Sequence, residues 1–297
     1  MGVGLSQRGR RPASTTQNTL DANRLTRHHR HMIRAPIQAL LAGLTLASTG
    51  GAAQACGPYT AAVYAYARFY YEDPQLGPAG IDKDMFDELA LRSGCELRMV
   101  VESRVRIWDQ MRRGVVQLTL SALASPERRE IAELVPYAQG RYQVLMRREL
   151  AGRINSIAAF EAMPGLRLLD VRGYAHGPTI DAWVLRMRSQ GRLVEAGDFK
   201  TAARMMRAGR ADGLLALPSG WGIAMAAFDN PDELVAVDVA PNERNAVSLA
   251  MAHTMPEADR LRLRRALQAM LADGSVHAIL RRHLGDKGAR TAMYTGE

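Results

Sequence analysis

The sequence predicts an α/β protein made of two units, each a mostly parallel sheet flanked by helices. After residue 56, short β-rich runs alternate with amphipathic helical segments, an order typical of parallel sheets with helices on both faces. A second, smaller alternation begins near Leu166. The chain beyond residue 56 is also long enough for one large or two small domains.

The first unit is predicted from residues 61–120. In its first helix, Met85, Phe86 and Leu89 share one apolar face. Strands are predicted at residues 61–66, 97–101 and 115–120, and helices at 80–93 and 105–113.

The second unit repeats this pattern. Strands are predicted at residues 166–170, 193–195 and 213–216, helices at 179–190 and 201–208, and two further helices at 256–273 and 276–283.

A secretory signal peptide is predicted at residues 32–55, within a leader of residues 1–55. Arg34 and the basic residues before it form the positive region, residues 37–47 form a short apolar region, and Ala53-Gln54-Ala55 is a small-x-small cleavage signal. The apolar run is shorter than the ~20 residues that a membrane span needs. Translation from Met1 or from Met32 would leave the same product, which we expect in the periplasm.

Much of the positive charge lies in the leader. The chain has 39 Lys and Arg against 30 Asp and Glu, but residues 1–55 carry seven Arg and one Asp, which leaves 32 basic and 29 acidic residues beyond them and a net charge of +3. A basic surface for nucleic acid is therefore not predicted. No metal-spaced His/Cys cluster and no nucleophile elbow occurs, so we expect no cofactor, no metal and no enzymatic activity.

The two cysteines, Cys56 and Cys95, stand just before the first and second predicted strands. Adjacent parallel strands would bring their starts together, and an oxidising compartment would permit a disulfide. Two separate thiols are the alternative.

Five short motifs follow one another along residues 57–285. They are GIDKDM (80–85), MRRGVVQ (111–117), SPER (125–128) with Pro136-Tyr137 behind it, MMRAGRADGLLA (205–216) and LADGSVHAILRRHLG (271–285). In this order they resemble the bacterial extracellular solute-binding proteins of the amino-acid type, which are periplasmic components of ABC importers.

The resemblance implies a two-lobed periplasmic binding protein type II fold, with two hinge strands and a solute in the cleft. Lobe 1 would comprise residues 57–145 and 243–297, and lobe 2 residues 146–242. The expected function is capture of a small polar solute, an amino acid or a small carboxylate, by a monomer that serves a membrane ABC permease and binds no nucleic acid. Two alternatives stay open: an enzyme similar to the cyclohexadienyl dehydratases, and a stand-alone periplasmic sensory binding protein.

Arg128 is the predicted anchor for the solute. It follows a strand and a tight Ser-Pro turn, which places it near the carboxyl edge of the sheet, where open α/β folds bind ligands. A guanidinium there can hold a carboxylate through two parallel hydrogen bonds, and the resemblance implies this role. The alternatives are a solvated Arg128 in a charged helix start, and Arg129 as the anchor in its place.

The resemblance implies further contacts in both lobes. Ser121 and Ala122 stand where backbone and hydroxyl contacts fall in the family, and Tyr66 stands where an aromatic ring packs on the solute. Alternation puts Tyr64 and Tyr66 on one face of the strand, so a core position for at least one of them is the alternative. In lobe 2, Gly173 and Tyr174 belong to a loop that touches the solute, and glycines there would let backbone N–H groups approach an anion at a helix N-terminus.

We expect other roles for four further residues. Ser125 is expected to cap a helix, Trp108 to pack in the core, and His176 to lie in solvent. Leu217 stands where relatives often carry an acidic residue that pairs with the ammonium of an amino acid, so a carboxylate stays open as the solute.

Overall fold

Two five-stranded sheets form the framework of the protein. The structure, a computed structural model, describes residues 55–294. The predicted signal peptide at residues 32–55 lies outside this range except for Ala55. Within the described range, none of the helices is both long enough and apolar enough to cross a membrane.

The elements alternate along the chain. The strands are β1 (Cys56–Val63), β2 (Tyr71–Asp73), β3 (Gly77–Ala79), β4 (Cys95–Val101), β5 (Leu118–Leu123), β6 (Ala132–Gly140), β7 (Gln143–Arg147), β8 (Leu168–Val171), β9 (Leu193–Ala196), β10 (Gly213–Ala216), β11 (Leu234–Val237) and β12 (Asn245–Ala252). The helices are α1 (Ile81–Ser93), α2 (Arg104–Arg112), α3 (Pro126–Ile131), α4 (Arg148–Ala151), α5 (Ile157–Glu161), α6 (Pro178–Ser189), α7 (Phe199–Arg207), α8 (Trp221–Met225), α9 (Glu257–Ala272) and α10 (Ser275–Ala292).

The first sheet has the strand order β4-β1-β5-β12-β6. β4, β1 and β5 are parallel, whereas β12 runs antiparallel to both β5 and β6. Every residue of β5 is buried, as expected for a central strand covered on both faces. Helices α1, α9 and α10 pack against one another and contact this sheet.

The second sheet has the order β11-β7-β10-β8-β9. It repeats the plan of the first, because β10, β8 and β9 are parallel and β7 runs antiparallel to both β10 and β11. Helices α6 and α7 pack on its parallel strands. Its core includes the fully buried rings of Phe160 and Trp183, whose centroids lie 5.2 Å apart in an edge-to-face arrangement.

The chain crosses between the two sheets twice. The first crossing joins β6 to β7 through residues 141–142, and the second joins β11 to β12 through residues 238–244. The fold is therefore the two-lobed α/β fold that the sequence predicted. The predicted boundary between residues 145 and 146 falls inside β7, and the lobe boundaries stay a prediction.

The predicted alternation of strands and helices is confirmed, with some ends displaced. β10 has the predicted bounds, whereas β1 ends at Val63 and not at Tyr66. β5 begins at Leu118 and not at Val115, because Gly114 adopts a φ of +74° and the N–H groups of Val115 and Val116 turn back to the carbonyl oxygen of Gln110.

A disulfide joins Cys56 to Cys95, with the two Cα atoms 4.4 Å apart. These residues begin β1 and β4 and are paired in register across the parallel ladder. Both are buried, so the crosslink fixes the start of the first sheet.

Candidate functional site

The cleft between the lobes is built from residues at the carboxyl ends of parallel strands. Tyr64 and Tyr66 follow β1, Ser121 lies near the end of β5, residues 172–177 follow β8, and Leu217 follows β10. Open α/β sheets place their ligand sites at this edge. The two sheets turn these edges towards each other, so the segments meet where the lobes touch.

Two hydrogen bonds cross the cleft near its centre. Arg128 of lobe 1 donates through Nη2 to the carbonyl oxygen of Gly173 in lobe 2, over 2.9 Å. The backbone N–H of Leu217 donates to the hydroxyl of Tyr66 over 3.2 Å. The lobes are therefore in direct contact along the cleft.

Two cavities lie along the cleft. The central one, of about 20 Å³, has room for about one water molecule, whereas the outer one, of about 660 Å³, has the size of small-molecule sites. Arg128 and Tyr174 line both cavities. A solute of several non-hydrogen atoms would therefore reach the central cavity only when the lobes move apart or side chains rearrange.

Arg128 lies at the junction of the two cavities and is 8% exposed. Its Nη1 donates to the carbonyl oxygen of Leu123 over 2.7 Å, and its guanidinium carbon lies 4.4 Å from the centre of the Trp108 ring. It forms no ion pair with a carboxylate of residues 55–294. Burial, and then the charge of Arg104, lower the pKa of Arg128 to about 9, so it stays protonated at neutral pH.

A second buried arginine, Arg104, lines the central cavity and was not predicted from the sequence. It is the first residue of α2. Its Nη1 donates to Thr119 Oγ1 and to the carbonyl oxygen of Leu120, each over 3.2 Å, and its Nη2 donates to the carbonyl oxygen of Ser121. Its guanidinium carbon lies 4.3 Å from the centre of the Tyr64 ring.

Ser121 is held in an uncommon backbone conformation, with a φ of +54°, which costs on the order of 1 kcal/mol or more in a residue other than glycine. Its carbonyl oxygen accepts from Arg104, and its hydroxyl donates to Asp82 Oδ1 over 2.7 Å. Burial raises the pKa of Asp82 to about 7, against the opposing effects of the Ser121 hydrogen bond and the Arg104 charge. The hydroxyl predicted to contact the solute is therefore engaged within lobe 1.

None of the other predicted contacts of lobe 1 lines either cavity. Ala122 is fully buried in β5 and is not among the residues lining either cavity, unlike its neighbours Ser121 and Leu123. Tyr66 bridges the lobes through its bond with Leu217. Arg129, the alternative anchor, is exposed.

The predicted lobe-2 loop lies against lobe 1. Gly173, with a φ of +82°, contributes its carbonyl oxygen to Arg128, and a Cβ at this position would lie 2.8 Å from Val105 Cγ2. The Tyr174 ring stands edge-on to the Tyr64 ring, with centroids 5.5 Å apart. Only glycine at position 173 lets the two lobes approach this closely.

Ser125 and Trp108 both contact Arg128. Ser125 caps α3 through its side chain, which accepts from the N–H of Arg128, so its predicted capping role is confirmed. Trp108, for which a core position was expected, is buried but also lines the outer cavity beneath the Arg128 guanidinium.

The expectation that His176 lies in solvent is wrong, because its side chain is 1% exposed. Its Nδ1 lies 3.0 Å from Asp181 Oδ1, and its Nε2 lies 3.0 Å from Asp170 Oδ1, an ionic contact too poorly aligned for a hydrogen bond. Burial opposes the charged form, but Asp170 and Asp181 outweigh it and raise the pKa of His176 to about 9. The imidazolium therefore lies between two carboxylates, that of Asp170 in β8 and that of Asp181 in the first turn of α6, and offsets part of their charge.

The N-terminus of α6 already binds a carboxylate of the protein itself. The N–H groups of Thr179 and Ile180 donate to the two oxygens of Glu243, over 2.8 and 3.3 Å. Glu243 lies in the second crossing, and just beyond it Asn245, the first residue of β12, donates through Nδ2 to the carbonyl oxygen of His176 over 2.7 Å. The sequence predicted that N–H groups here would face an anionic solute, but these two are engaged.

We expect Glu243→Gln to lower the free energy of unfolding by about 1 kcal/mol, because the amide loses the charge that favours a helix N-terminus and keeps one acceptor oxygen where the carboxylate has two. Urea unfolding would measure the change. The matched control is Glu130→Gln, on the exposed side of α3 and without an ion pair in residues 55–294. Equal effects of the two substitutions would contradict the capping role.

The cleft thus offers two guanidinium groups, several aromatic rings and backbone carbonyl groups. Within residues 55–294, no group of three or more His, Cys, Asp or Glu side chains is placed to hold a metal ion. The arrangement suits the binding of a small solute that carries negative charge.

Solved structures of binding proteins share this fold. A putative L-cystine ABC transporter protein from Listeria monocytogenes is 17% identical with a TM-score of 0.65, and the alignment covers 80% of this chain and 99% of that one. The solute receptor for L-cysteine of Neisseria gonorrhoeae is 18% identical with a TM-score of 0.64, over 80% and 95% of the two chains. A histidine kinase sensor domain with similarity to periplasmic binding proteins is 16% identical with a TM-score of 0.64, over 78% and 96%.

At these identities the likeness defines the class by fold alone, that of the two-lobed periplasmic binding proteins. No match was found among proteins of curated function. Residues 60–286, most of the chain, match the family model of the bacterial extracellular solute-binding proteins, family 3. The chain belongs to this family, as the order of its motifs predicted.

Proposed function

We propose that the protein captures a small polar solute, an amino acid or a small carboxylate, and delivers it to a membrane ABC permease. Arg128 carries this proposal, because it is a buried cation at the junction of the two cavities with no carboxylate partner in residues 55–294. A buried charge without a partner is costly. A bound carboxylate would supply the partner through two charge-assisted hydrogen bonds.

The two crossings between the sheets support a hinge mechanism. Residues 141–142 and 238–244 are the only connections between the lobes within residues 55–294, so the lobes would separate by changes confined to these segments. Solute would enter the open cleft and contact both lobes as they close. We propose that the closed form is what the permease recognises, and that the protein acts in the periplasm as a monomer without nucleic acid.

The enzyme alternative has less support from the cleft. A dehydratase needs an acid or base within hydrogen-bond reach of its substrate. Asp82 has the raised pKa of such a group, but it lines neither cavity and lies behind Ser121. His176 lines the outer cavity, but both of its ring nitrogens lie against carboxylates of the protein, those of Asp170 and Asp181. Incubation of the purified protein with prephenate or arogenate would test this alternative, and product formation would contradict the assignment as a binding protein.

The proposed function predicts that Arg128→Gln weakens the binding of the best solute at least about a hundredfold, since two charge-assisted hydrogen bonds are lost. The solute would first be found by a thermal-shift screen of the full chain with the amino acids and small carboxylates, because a bound solute raises the melting temperature. Isothermal titration calorimetry would then give Kd for the wild type and the variant.

Arg129→Gln is the matched control for this experiment. It makes the same chemical change one residue along, at an exposed position, and we expect an unchanged Kd. Circular dichroism would verify that both variants fold. Unchanged affinity in Arg128→Gln would exclude the anchoring role, and a screen without any binding solute would contradict the proposed function.

A further inference from the structure

The central cavity holds a pair of arginines. Arg104 and Arg128 both line it, and both guanidinium groups lie against the Trp108 ring, at 5.5 and 4.4 Å from its centre. They are 4% and 8% exposed. Two like charges thus share one buried site, an arrangement that proteins rarely keep without a counter-charge.

In the part of the chain that the structure describes, neither guanidinium is in direct contact with a carboxylate of the protein. Arg104 and Arg128 form no ion pair within residues 55–294, and their hydrogen bonds go to backbone carbonyl groups and to Thr119 Oγ1. Two carboxylates act on the pair only electrostatically. Asp82 acts on Arg104 but lines neither cavity, and Asp181 acts on Arg128 from the lining of the outer cavity. A guanidinium has five N–H donors, and at least two on Arg128 stay free for a ligand after its two protein bonds.

The lining of the central cavity contains no acidic side chain either. It consists of the two arginines, Ser121, aromatic rings and aliphatic residues. Leu217 and Val247 are among its aliphatic residues. An ammonium group brought here would lose its hydration without gaining a counter-charge and would also face two cations, which is doubly unfavourable.

We propose that the solute is a small dianion without an ammonium group, such as a dicarboxylate. One of its anionic groups binds Arg128 and the other binds Arg104. This inference rests on the proposed function. The central cavity of about 20 Å³ would widen around this solute by movement of the lobes or of side chains, and the two anionic groups would balance the two guanidinium charges. An ordinary α-amino acid would balance only one of them and would leave its ammonium group unpaired.

The outer cavity is a different environment. It is lined by cations such as Arg112 and Arg188 but also by acidic residues, among them Asp109, Glu127 and Glu195. Mixed charge of this kind does not select a dianion. We therefore assign the outer cavity to the access path of the solute, and Arg104, which lines only the central cavity, distinguishes the two locations.

Solutes of matched chain length test the proposal in the wild-type protein. Calorimetric titrations would compare malonate, succinate and glutarate with propionate, butyrate and pentanoate, which lack the second carboxylate. Aspartate and glutamate add an ammonium group to two of the dicarboxylates. We expect the best dicarboxylate to bind about tenfold to a hundredfold more tightly than its monocarboxylate, and more tightly than its amino counterpart.

Arg104→Gln then locates the second anionic group. We expect this variant to bind the dicarboxylate about as weakly as the monocarboxylate, while its affinity for the monocarboxylate stays that of the wild type. The control is Arg112→Gln, an exposed arginine of the outer cavity, which should leave the preference intact. The solute comparison in the wild type stands even if Arg104→Gln does not fold.

The outcomes separate this inference from the proposed function. Tighter binding of an amino acid than of every dicarboxylate overturns the inference and leaves solute capture in place. If Arg128→Gln loses binding and Arg104→Gln keeps the affinity of the wild type, the solute binds in the outer cavity, and this result also overturns the inference. Failure of all amino acids and carboxylates to bind contradicts both.

Discussion

Removing the Cys56–Cys95 disulfide is expected to lower the free energy of unfolding by about 4 kcal/mol. The two residues are 39 positions apart, and a crosslink that closes a loop of this length restricts the unfolded chain by about that amount. For a protein of this size the change corresponds to a fall in melting temperature on the order of 10 °C. Thermal unfolding of the double variant Cys56→Ala with Cys95→Ala would measure it.

Reduction of the wild type provides the comparison. Dithiothreitol should bring the wild type to about the melting temperature of the double variant, whereas the variant should not respond to it. Both cysteines are buried, so reduction requires incubation under partly unfolding conditions. Equal melting temperatures of oxidised and reduced wild type would show that the crosslink does not contribute to stability.

The parts of the fold that the sequence predicts are those decided locally. β10 has its predicted bounds because four buried residues lie between a helix and a turn, and α1 is predicted to within one residue by its apolar face. The strands β6, β7, β11 and β12 were not predicted from their own pattern. Their position depends on pairing with distant segments, such as β12 with both β5 and β6.

In the candidate site, too, the residue that was predicted is fixed by local sequence and the one that was missed depends on distant contacts. Arg128 was predicted because the Ser-Pro turn before it fixes where its side chain begins. Arg104 was missed because it stands in the charged run Glu102–Arg106, a pattern typical of a solvated helix face, and only the cap at Ser103 marks it as the first residue of α2. Its burial depends on carbonyl groups of β5, which no local pattern reveals.

His176 and Glu243 show why lobe contacts escape prediction from sequence. Each is a single charged residue in a loop, and a loop histidine is ordinarily solvated. The structure gives His176 two carboxylate neighbours and gives Glu243 the N-terminus of α6, 64 residues away from Thr179. The environment of Glu243 exists only once the second crossing has returned against lobe 2. His176 meets two carboxylates of its own lobe, and only the folding of its loop between β8 and α6 brings them together.

Asp82→Asn is expected to make the protein more stable at alkaline pH and to leave it nearly unchanged at pH 4. The pKa of Asp82 is raised from 3.8 to about 7 in the folded protein, chiefly by burial. Between these values the folded state binds more protons than the unfolded state, so its stability falls as the pH rises. The asparagine does not titrate, keeps an oxygen for Ser121, and avoids this loss.

The size of the gain follows from the shift. At about 1.4 kcal/mol per pKa unit, a rise from 3.8 to about 7 corresponds to about 4 kcal/mol above pH 7. Urea unfolding of variant and wild type between pH 4 and pH 9 would give the difference at each pH. His176, whose raised pKa also lowers stability as the pH rises from 6.5 to about 9, is present in both proteins, so its contribution cancels.

Asp87→Asn is the control, because Asp87 lies on the same helix with its side chain 60% exposed. Its difference from the wild type should vary little across this pH range. A flat difference for Asp82→Asn as well would mean that Asp82 titrates near its ordinary pKa and is charged in the folded protein. The negative charge beside Arg104 would then be present below pH 7 as well as above it.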